Sequence, residues 1–307
     1  MHEGSRKAIL AAFFANLGIA VAKFAGFAIT QSASLLAEAI HSVADSANQL
    51  LLMLGGNRAR KTATAEHPFG YGRERYFWAF VVSMVLFSMG GLFALYEGIE
   101  KLRHPHEVES LGVAVVILLI AIGLESFSLR TAIRESRHVK PAQASWRAFI
   151  HRTKQPELPV VLLEDIGALI GLVFALFGVV MSVVTDNPRF DALGSVAIGL
   201  LLVAIAVVLA WEMKGLLIGE SASPERLQTI ADEVAAAPSV TRLIHIRTEH
   251  LGPDELLVAA KVEFATHLSV PELALAIDEV ERRVRGAVPE ARLIFLEPDI
   301  SRADAPT

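Results

Sequence analysis

The chain has 307 residues, of which 53% are apolar, 20% charged and 7% aromatic, and its mean hydropathy is +0.48. This composition is too apolar for an ordinary soluble domain. The absence of cysteine excludes a disulfide framework, a thiolate metal site and a cysteine nucleophile, and no basic run indicates nucleic-acid binding. The net charge of −5 divides into +2 for residues 1–219 and −7 for residues 220–307, which indicates a membrane body with an acidic soluble appendage.

Hydropathy predicts six membrane spans, each close to the roughly 20 residues that cross a bilayer. Because Glu125 interrupts the fourth span, we expect this span to continue toward Leu129 with the carboxylate near one end. No small-residue cleavage site follows the first span, so we interpret it as a retained helix and not as a signal peptide. The six spans are Ala8–Ile29, Ala33–Leu54, Phe77–Leu95, Leu111–Leu124, Leu158–Val184 and Ala192–Trp211.

The distribution of Lys and Arg predicts the orientation of these spans. Fourteen basic residues lie near the N-terminus and in the loops Arg58–Arg75 and Arg130–Lys154, against three on the opposite side, Lys101, Arg103 and Arg189. Both termini are therefore predicted to be cytoplasmic. The loops on the far side are too short for a receptor or an adhesin, and the lack of a signal or organelle presequence favours a bacterial inner membrane.

The residues after Trp211 predict a small α+β domain in which one sheet is covered by helices. Ser223 followed by Pro224 is typical of a capped helix start. Alternating and β-branched segments then predict strands, giving the order α-β-β-α-β. We expect a transmembrane domain of residues 1–219 and a cytoplasmic domain of residues 220–307. The later elements are predicted at Val240–Thr248, Leu256–Phe264, Pro271–Arg285 and Arg292–Leu296.

The second span carries ionisable side chains at membrane depth, where they are costly and by default mark a pathway or a site. At about 100° per residue, five polar side chains share one stripe of roughly 80° on this helix: Ser34, Glu38, His41, Asp45 and Asn48. His41 and Asp45 lie one turn apart and can reach the same ion. An imidazole with carboxylates suits Zn²⁺ and its neighbours better than Na⁺ or Ca²⁺. A hydrogen-bonded pair between helices and a proton relay without metal are the alternatives.

The fifth span contains the adjacent carboxylates Glu164 and Asp165. Neighbouring residues of a helix point about 100° apart, so both face one ion only if it lies between helices. Without a shared metal or proton the two carboxylates would repel each other. The alternative is that Glu164 faces water at a cytoplasmic vestibule and Asp165 alone is functional.

Two further features of the spans concern helix packing and charge balance. Lys23 in the first span is either a counter-charge to the acidic stripe or a side chain that snorkels to an interface. Gly167 and Gly171 form a small-xxx-small pair, which predicts close packing of the fifth span against a neighbouring helix.

The chain resembles the cation diffusion facilitators, a family of proton-coupled divalent metal exporters. Two segments carry the resemblance, Ser34–Gln49 (SLLAEAIHSVADSANQ) in the second span and His67–Arg75 (HPFGYGRER) in the next loop. It extends over nearly the whole chain. It implies a polytopic α-helical membrane protein with six spans and a cytoplasmic, metallochaperone-like α+β domain, which acts as a transporter and not as an enzyme. It also implies a homodimer formed through the cytoplasmic domain.

The resemblance implies that His41 and Asp45 are two ligands of an intramembrane metal site. The family's other pair is His-xxx-Asp in the fifth span, where Asp165 matches the aspartate but Val161 stands at the histidine position. Glu164 is therefore the expected substitute ligand, and the Glu-Asp pair resembles a branch that includes an organellar zinc exporter of animals. A site with one histidine fewer has a harder set of ligand atoms, so Mn²⁺, Fe²⁺ and Co²⁺ are alternative substrates, with zinc leading.

Histidines outside the spans are expected to have weaker roles. Some family members bind extra metal through His-x-x-x-His in the loop after the second span, but Tyr71 replaces the second histidine after His67, so this site is expected to be weak or absent. The outer-loop segment His104–Glu107 (HPHE) either faces water or attracts metal on the exit side.

The histidines of the C-terminal domain are expected to lie on an exposed surface. The family's metal-ligand positions on the strands of this domain do not match His245, His250 or His267. Those positions hold Lys261, Phe295 and Glu297 here, and of these only Glu297 has an acidic side chain. Dimerisation is therefore the expected role of this domain, with metal regulation through it as the alternative.

The sequence thus predicts a transporter that moves a divalent cation, zinc first, out of the cytoplasm by alternating access in exchange for protons. Metal and protons are substrates, no resident cofactor is expected, and the partners are the lipid bilayer and a second copy of the chain. A non-transporting membrane metal sensor or scaffold is the alternative. No Ser or second His accompanies His41 for intramembrane hydrolysis, and no phosphate-binding loop suggests ATP drive.

Overall fold

A computed structural model describes residues 3–105, 107, 110–140 and 143–300, with side chains described from residue 16 onward. The chain forms two compact units. The first combines the residues up to Gly56 with Phe77–Lys214, and the second combines Asn57–Tyr76 with the residues from Gly215 onward.

Long helices make up the membrane part of the chain, which confirms the polytopic α-helical class. A π-helical segment, Leu86–Leu92, joins α3 to α4, so that Glu74–Arg103 is one continuous helix. The helices in the described part of the chain are α1 Glu3–Thr30, α2 Ala33–Arg58, α3 Glu74–Val85, α4 Phe93–Arg103, α5 Leu111–Val139, α6 Trp146–Arg152, α7 Glu157–Val184 and α8 Arg189–Ile218.

Four helices of the described residues are long and apolar enough to cross a membrane: Glu74–Arg103, Leu111–Val139, Glu157–Val184 and Arg189–Ile218. The described apolar part of α1, Asn16–Thr30, is shorter. The helix α2 has 26 residues, but its polar stripe lowers its hydropathy. An integral membrane protein is therefore supported, and the count of six spans stays a prediction.

The helix α5 continues past Glu125, as predicted for the fourth span. It runs over 29 residues, so that Glu125 lies in the middle of the helix, and the position of Glu125 near one end of the span stays a prediction. The Glu125 side chain is buried, with 8% of its surface exposed. Hydropathy treats an acidic residue as a boundary, but a carboxylate that faces neighbouring helices does not end a membrane span.

Glycines bring α4 and α8 into close contact. A Cβ at Gly98 would lie 2.8 Å from the backbone nitrogen of Val196, and one at Gly199 would lie 2.7 Å from the backbone nitrogen of Leu95. Only a residue without a side chain permits backbones to approach this closely. The two helices therefore pack as one tight pair.

The helix α7 is also packed through glycine, as the small-xxx-small pattern predicted. A Cβ at Gly167 would lie 2.7 Å from the side chain of Ile205, and one at Gly171 would lie 2.5 Å from Glu38 Oε1. Gly171 thus leaves room for a buried carboxylate of α2.

The second unit contains a three-stranded sheet with the strand order β1-β2-β3. The strands are β1 Val240–Gly252, β2 Glu255–Phe264 and β3 Ala291–Pro298, with α9 Pro224–Ala235 before them and α10 Val270–Ala287 between β2 and β3. β1 and β2 are antiparallel, whereas β2 and β3 are parallel. The predicted order α-β-β-α-β is confirmed.

The core of this unit follows the sequence pattern. Ser223 caps α9, accepting a hydrogen bond from the Arg226 backbone nitrogen at 3.3 Å, as predicted. The inward side of the central strand packs against the apolar sides of α9 and α10. The core residues from these three elements include Leu256, Val258, Ala260, Val262, Phe264, Ile230, Val234, Val280 and Val284.

The loop motif His67–Arg75 belongs to the second unit and contacts the end of β1. A Cβ at Gly72 would lie 2.6 Å from the carbonyl oxygen of Leu251, so glycine is required for this approach. Arg73 forms an ion pair with Glu249 of the same strand. This motif therefore has a structural role in holding the loop against the sheet.

Candidate functional site

The polar stripe of α2 faces the interior of the first unit, as its spacing predicted. Ser34, Glu38, His41 and Asn48 are fully buried, whereas the Asp45 side chain is 15% exposed. Burial of these groups inside an apolar bundle is costly unless they have partners or a ligand.

His41 and Asp45 lie together, with Nδ1 and Oδ1 3.4 Å apart. Within the described part of the chain, neither ring nitrogen of His41 has a hydrogen-bond partner, and Asp45 Oδ1 also lacks one. Gly90 of the π-helical segment lies beside this pair, since a Cβ there would be 3.8 Å from His41 Nδ1. Such segments frequently occur at functional sites, and buried polar atoms without partners require an explanation, of which a ligand is one.

Lys23 is a counter-charge to the stripe. Its Nζ donates to Glu38 Oε2 at 3.1 Å and to Ser42 Oγ at 2.7 Å. The side chain is only 1% exposed, so the snorkelling alternative is wrong. Glu38 Oε1 has no hydrogen-bond partner among the described residues. The pair joins α1 to α2 near His41.

Glu164 is buried and bonded to α2. Asn48 Nδ2 donates to Glu164 Oε1 at 2.6 Å, and the Glu164 residue is 5% exposed. The alternative in which Glu164 faces water is therefore wrong.

Asp165 points to a different helix from Glu164. Its Oδ2 accepts a hydrogen bond from Ser128 Oγ of α5 at 3.0 Å. The adjacent carboxylates therefore divide between α2 and α5, as their angular separation on a helix requires. In the residues that the structure describes, no three His, Cys, Asp or Glu side chains are arranged to hold a metal. The four-ligand set of His41, Asp45, Asp165 and Glu164 stays a prediction.

Glu125 is a buried acid that hydropathy alone did not single out as a site residue. It interacts electrostatically with Lys23, Glu38, Asp45 and Asp165. Helical spacing is the signal that finds it, because it continues the buried stripe of α5 at intervals of three and four residues. The other buried positions of that stripe are Ala114, Leu118 and Ala121.

A family model described as "Cation efflux transmembrane domain" matches residues 9–218. The chain belongs to the cation efflux family. The resemblance to the cation diffusion facilitators, drawn from the two motifs, is thereby confirmed.

Named relatives of this chain include animal and bacterial proteins. The "Proton-coupled zinc antiporter SLC30A9, mitochondrial" of Xenopus laevis is 31% identical over 93% of this chain and 52% of its own length. The protein of the same name from Homo sapiens is 32% identical over 85% of this chain and 46% of its own length. The chain thus spans about half the length of these two antiporters. The "Cation-efflux pump FieF" of Klebsiella pneumoniae is 26% identical over 95% of this chain and 91% of its own length.

The histidines of the loops make local contacts. The His67 ring lies edge-on to Tyr71, with centroids 4.6 Å apart. His104 Nδ1 lies 2.9 Å from Glu100 Oε1 on an exposed surface. His106, the second histidine of the outer-loop segment, lies outside the described residues.

The C-terminal histidines differ in exposure. His267 is exposed, as expected, and His245 is half-buried, with Nε2 accepting a hydrogen bond from Arg247 Nε at 2.8 Å. The prediction of exposure is wrong for His250, which is 1% exposed. It lies near the end of β1, where its backbone nitrogen donates to the backbone carbonyl oxygen of Glu220 at 2.9 Å. This bond holds the end of β1 against the segment before α9.

Lys261 of β2 pairs with acids at the end of β3. Its Nζ lies 3.1 Å from Glu297 Oε1 and 3.2 Å from Asp299 Oδ2. The hydrogen bond with Glu297, followed by that with Asp299, raises the pKa of Lys261 above its ordinary value. One charged ammonium group therefore already pairs with both acids.

Proposed function

We propose that this chain is a divalent metal cation efflux transporter, with zinc as the leading substrate, which moves metal out of the cytoplasm in exchange for protons. The observation that carries the proposal is the His41–Asp45 pair, in which both ring nitrogens of His41 and Asp45 Oδ1 are buried without hydrogen-bond partners among the described residues. Membership of the cation efflux family supports a transporter and not an enzyme. The names of the zinc antiporter and efflux-pump relatives support the substrate and the proton coupling.

The proposed ligands are His41, Asp45, Asp165 and Glu164. Glu164 and Asp165 accept hydrogen bonds from Asn48 and Ser128, so metal binding must compete with those bonds. Each ligand binds metal in its deprotonated form, so protons and metal compete for the same atoms. Exchange of metal for protons follows from this competition when the site opens alternately to the two sides of the membrane.

The surrounding carboxylates favour a second candidate substrate. His41 is the one histidine among the proposed ligands, the others are carboxylates, and oxygen ligands suit harder cations such as Mn²⁺. Manganese, iron and cobalt therefore compete with zinc within the same proposed mechanism.

The proposed topology has six spans and both termini in the cytoplasm. The excess of Lys and Arg in the loops Arg58–Arg75 and Arg130–Lys154 supports this orientation. Transport is assigned to residues 1–219 and a cytoplasmic role to residues 220–307, through which a homodimer is proposed to form. The lipid bilayer is the proposed surrounding, and a bacterial inner membrane is the proposed host.

Metal flux into proteoliposomes tests this function. Wild type, His41→Ala and Asp45→Ala are reconstituted around a zinc-sensitive dye, and an outward proton gradient is imposed. Zinc flux in the wild type that is lost in both variants, with their folding intact, is the expected result. Unimpaired flux in either variant contradicts the site, whereas metal binding without flux in the wild type favours a sensor.

A further inference from the structure

Glu125 is a buried acid without an assigned role in the middle of α5. The residue is only 8% exposed. An ionisable residue in this setting is costly, and such residues typically face a pathway or a partner.

The geometry of α5 directs Glu125 toward the site. Glu125 and Ser128 are three residues apart, which separates their Cβ atoms by about 5–6 Å on one side of a helix. Ser128 Oγ donates to Asp165 Oδ2 at 3.0 Å. The carboxylate of Glu125 is thus one helical turn from a residue that contacts a proposed metal ligand, and it interacts electrostatically with Asp45 as well as Asp165.

Among the described residues, Lys23 is the cation that interacts with Glu125 and the acids near it. Lys23 is a buried ammonium group nearby, but its Nζ already donates to Glu38 and to Ser42. The acids of this region are Glu38, Asp45, Glu125, Glu164 and Asp165. A region with this excess of carboxylates suits a cation that brings two positive charges.

Buried atoms next to these acids also lack partners. Both ring nitrogens of His41 and the Oε1 atom of Glu38 are inaccessible and accept or donate no hydrogen bond among the described residues. The two His41 nitrogens do not belong to these acids, and an imidazole nitrogen is a metal ligand.

We propose that Glu125 is a further carboxylate ligand of the transported cation, contributed by α5 beside the ligands from α2 and α7. This inference rests on the proposed transport function. A hard oxygen ligand strengthens the binding of Mn²⁺ relative to Zn²⁺, so Glu125 also sets the metal selectivity of the site.

Titration of purified full-length protein with Zn²⁺ and with Mn²⁺ tests the proposal. Glu125→Gln is expected to weaken Mn²⁺ binding by about tenfold or more, the scale of losses around metal sites, and to weaken Zn²⁺ binding less, so that the Zn²⁺/Mn²⁺ affinity ratio rises. Glu135→Gln is the matched control, because Glu135 is an exposed acid of the same helix, and this variant is expected to bind as the wild type does.

Glu125→Asp separates a ligand from a simple charge partner of Lys23. It keeps the negative charge but moves the carboxylate by one methylene group, so a ligand role predicts a changed affinity ratio even if Glu125→Gln does not fold. A wild-type ratio in Glu125→Asp, and in Glu125→Gln if it folds, overturns the proposal. Absence of metal binding by the wild type overturns the proposed function itself.

Discussion

Lys101 and Asp191 form a buried ion pair, with Nζ and Oδ2 3.1 Å apart and side chains that are 5% and 0% exposed. The same carboxylate accepts hydrogen bonds from Ser32 Oγ at 2.7 Å and from the Ala33 backbone nitrogen at 2.8 Å. One acid at the start of α8 thus holds the end of α4 and caps α2. The position of the stripe on α2 depends on this cluster.

Removal of the Asp191 charge is expected to destabilise the membrane unit. Asp191→Asn leaves Lys101 buried without its anion. Removing one partner of a buried ion pair lowers the free energy of unfolding by roughly 3–5 kcal/mol. A fall in the melting temperature of the detergent-solubilised protein is the expected result. Asp186→Asn is the control, because Asp186 is exposed, and melting of both variants at the same temperature would show that the ion pair contributes nothing.

Loss of the Lys23 charge alone is expected to lower the melting temperature more than loss of the charges of both Lys23 and Glu38. Lys23→Met leaves Glu38 buried without its ammonium partner, whereas Lys23→Met combined with Glu38→Gln removes both charges. The single variant should melt at a lower temperature than the double variant. Lys214→Met, at an exposed position, should melt as the wild type does. Equal melting of the single and double variants would exclude the coupling.

The local rules of helices and strands predicted much of this molecule. The cap at Ser223, the alternation along β2 and the inward stripe of α2 each depend on residues a few positions apart. Such patterns follow from the repeat of side-chain direction along a helix or a strand, which is visible in the order of apolar and polar residues.

Contacts between distant residues were beyond those rules. The partners of Glu164 and Asp165 lie 116 and 37 residues away in sequence, and the burial of His250 depends on the packing of the strand end. The burial of Glu125 was also missed, because hydropathy counts its charge but does not show the direction in which its side chain points.

The close approach of Gly72 to β1 predicts a sensitive position in the loop motif. Gly72→Ala sets a Cβ 2.6 Å from the Leu251 carbonyl oxygen, so the backbone must shift at a cost of about 1–3 kcal/mol. Faster amide hydrogen exchange at the end of β1 is expected. Gly56→Ala is the matched control, since nothing lies within 4 Å of a Cβ there. Equal exchange in the two variants would contradict the assigned contact.

The start of α10 is predicted to lose stability in acid. The Ser269 side-chain hydroxyl and backbone nitrogen donate to Glu272 Oε2 at 2.6 Å and 2.7 Å and lower the pKa of Glu272 below 4.5. A lowered pKa in the folded state stabilises the fold above the unfolded-state pKa, and this contribution is lost as pH falls through the folded value.

Hydrogen exchange of the first turn of α10, measured in wild type and Glu272→Gln, tests this pH dependence. The wild type should be better protected near pH 7, and the difference should shrink as the pH falls below 4.5. Glu281→Gln removes a carboxylate from the same helix outside the cap and should leave the first turn unchanged. A difference that is constant with pH would exclude the capping carboxylate as its cause.

Simultaneous recording of zinc and proton movement tests whether the chain exchanges zinc for protons. Wild type and Asp165→Ala are reconstituted in proteoliposomes that contain a zinc-sensitive and a pH-sensitive dye, and Zn²⁺ or Mn²⁺ is added outside. Zinc entry coupled to proton exit is expected in the wild type, and neither movement is expected in Asp165→Ala. Zinc entry at equal rates in both proteins, or zinc entry without proton movement, would contradict these expectations.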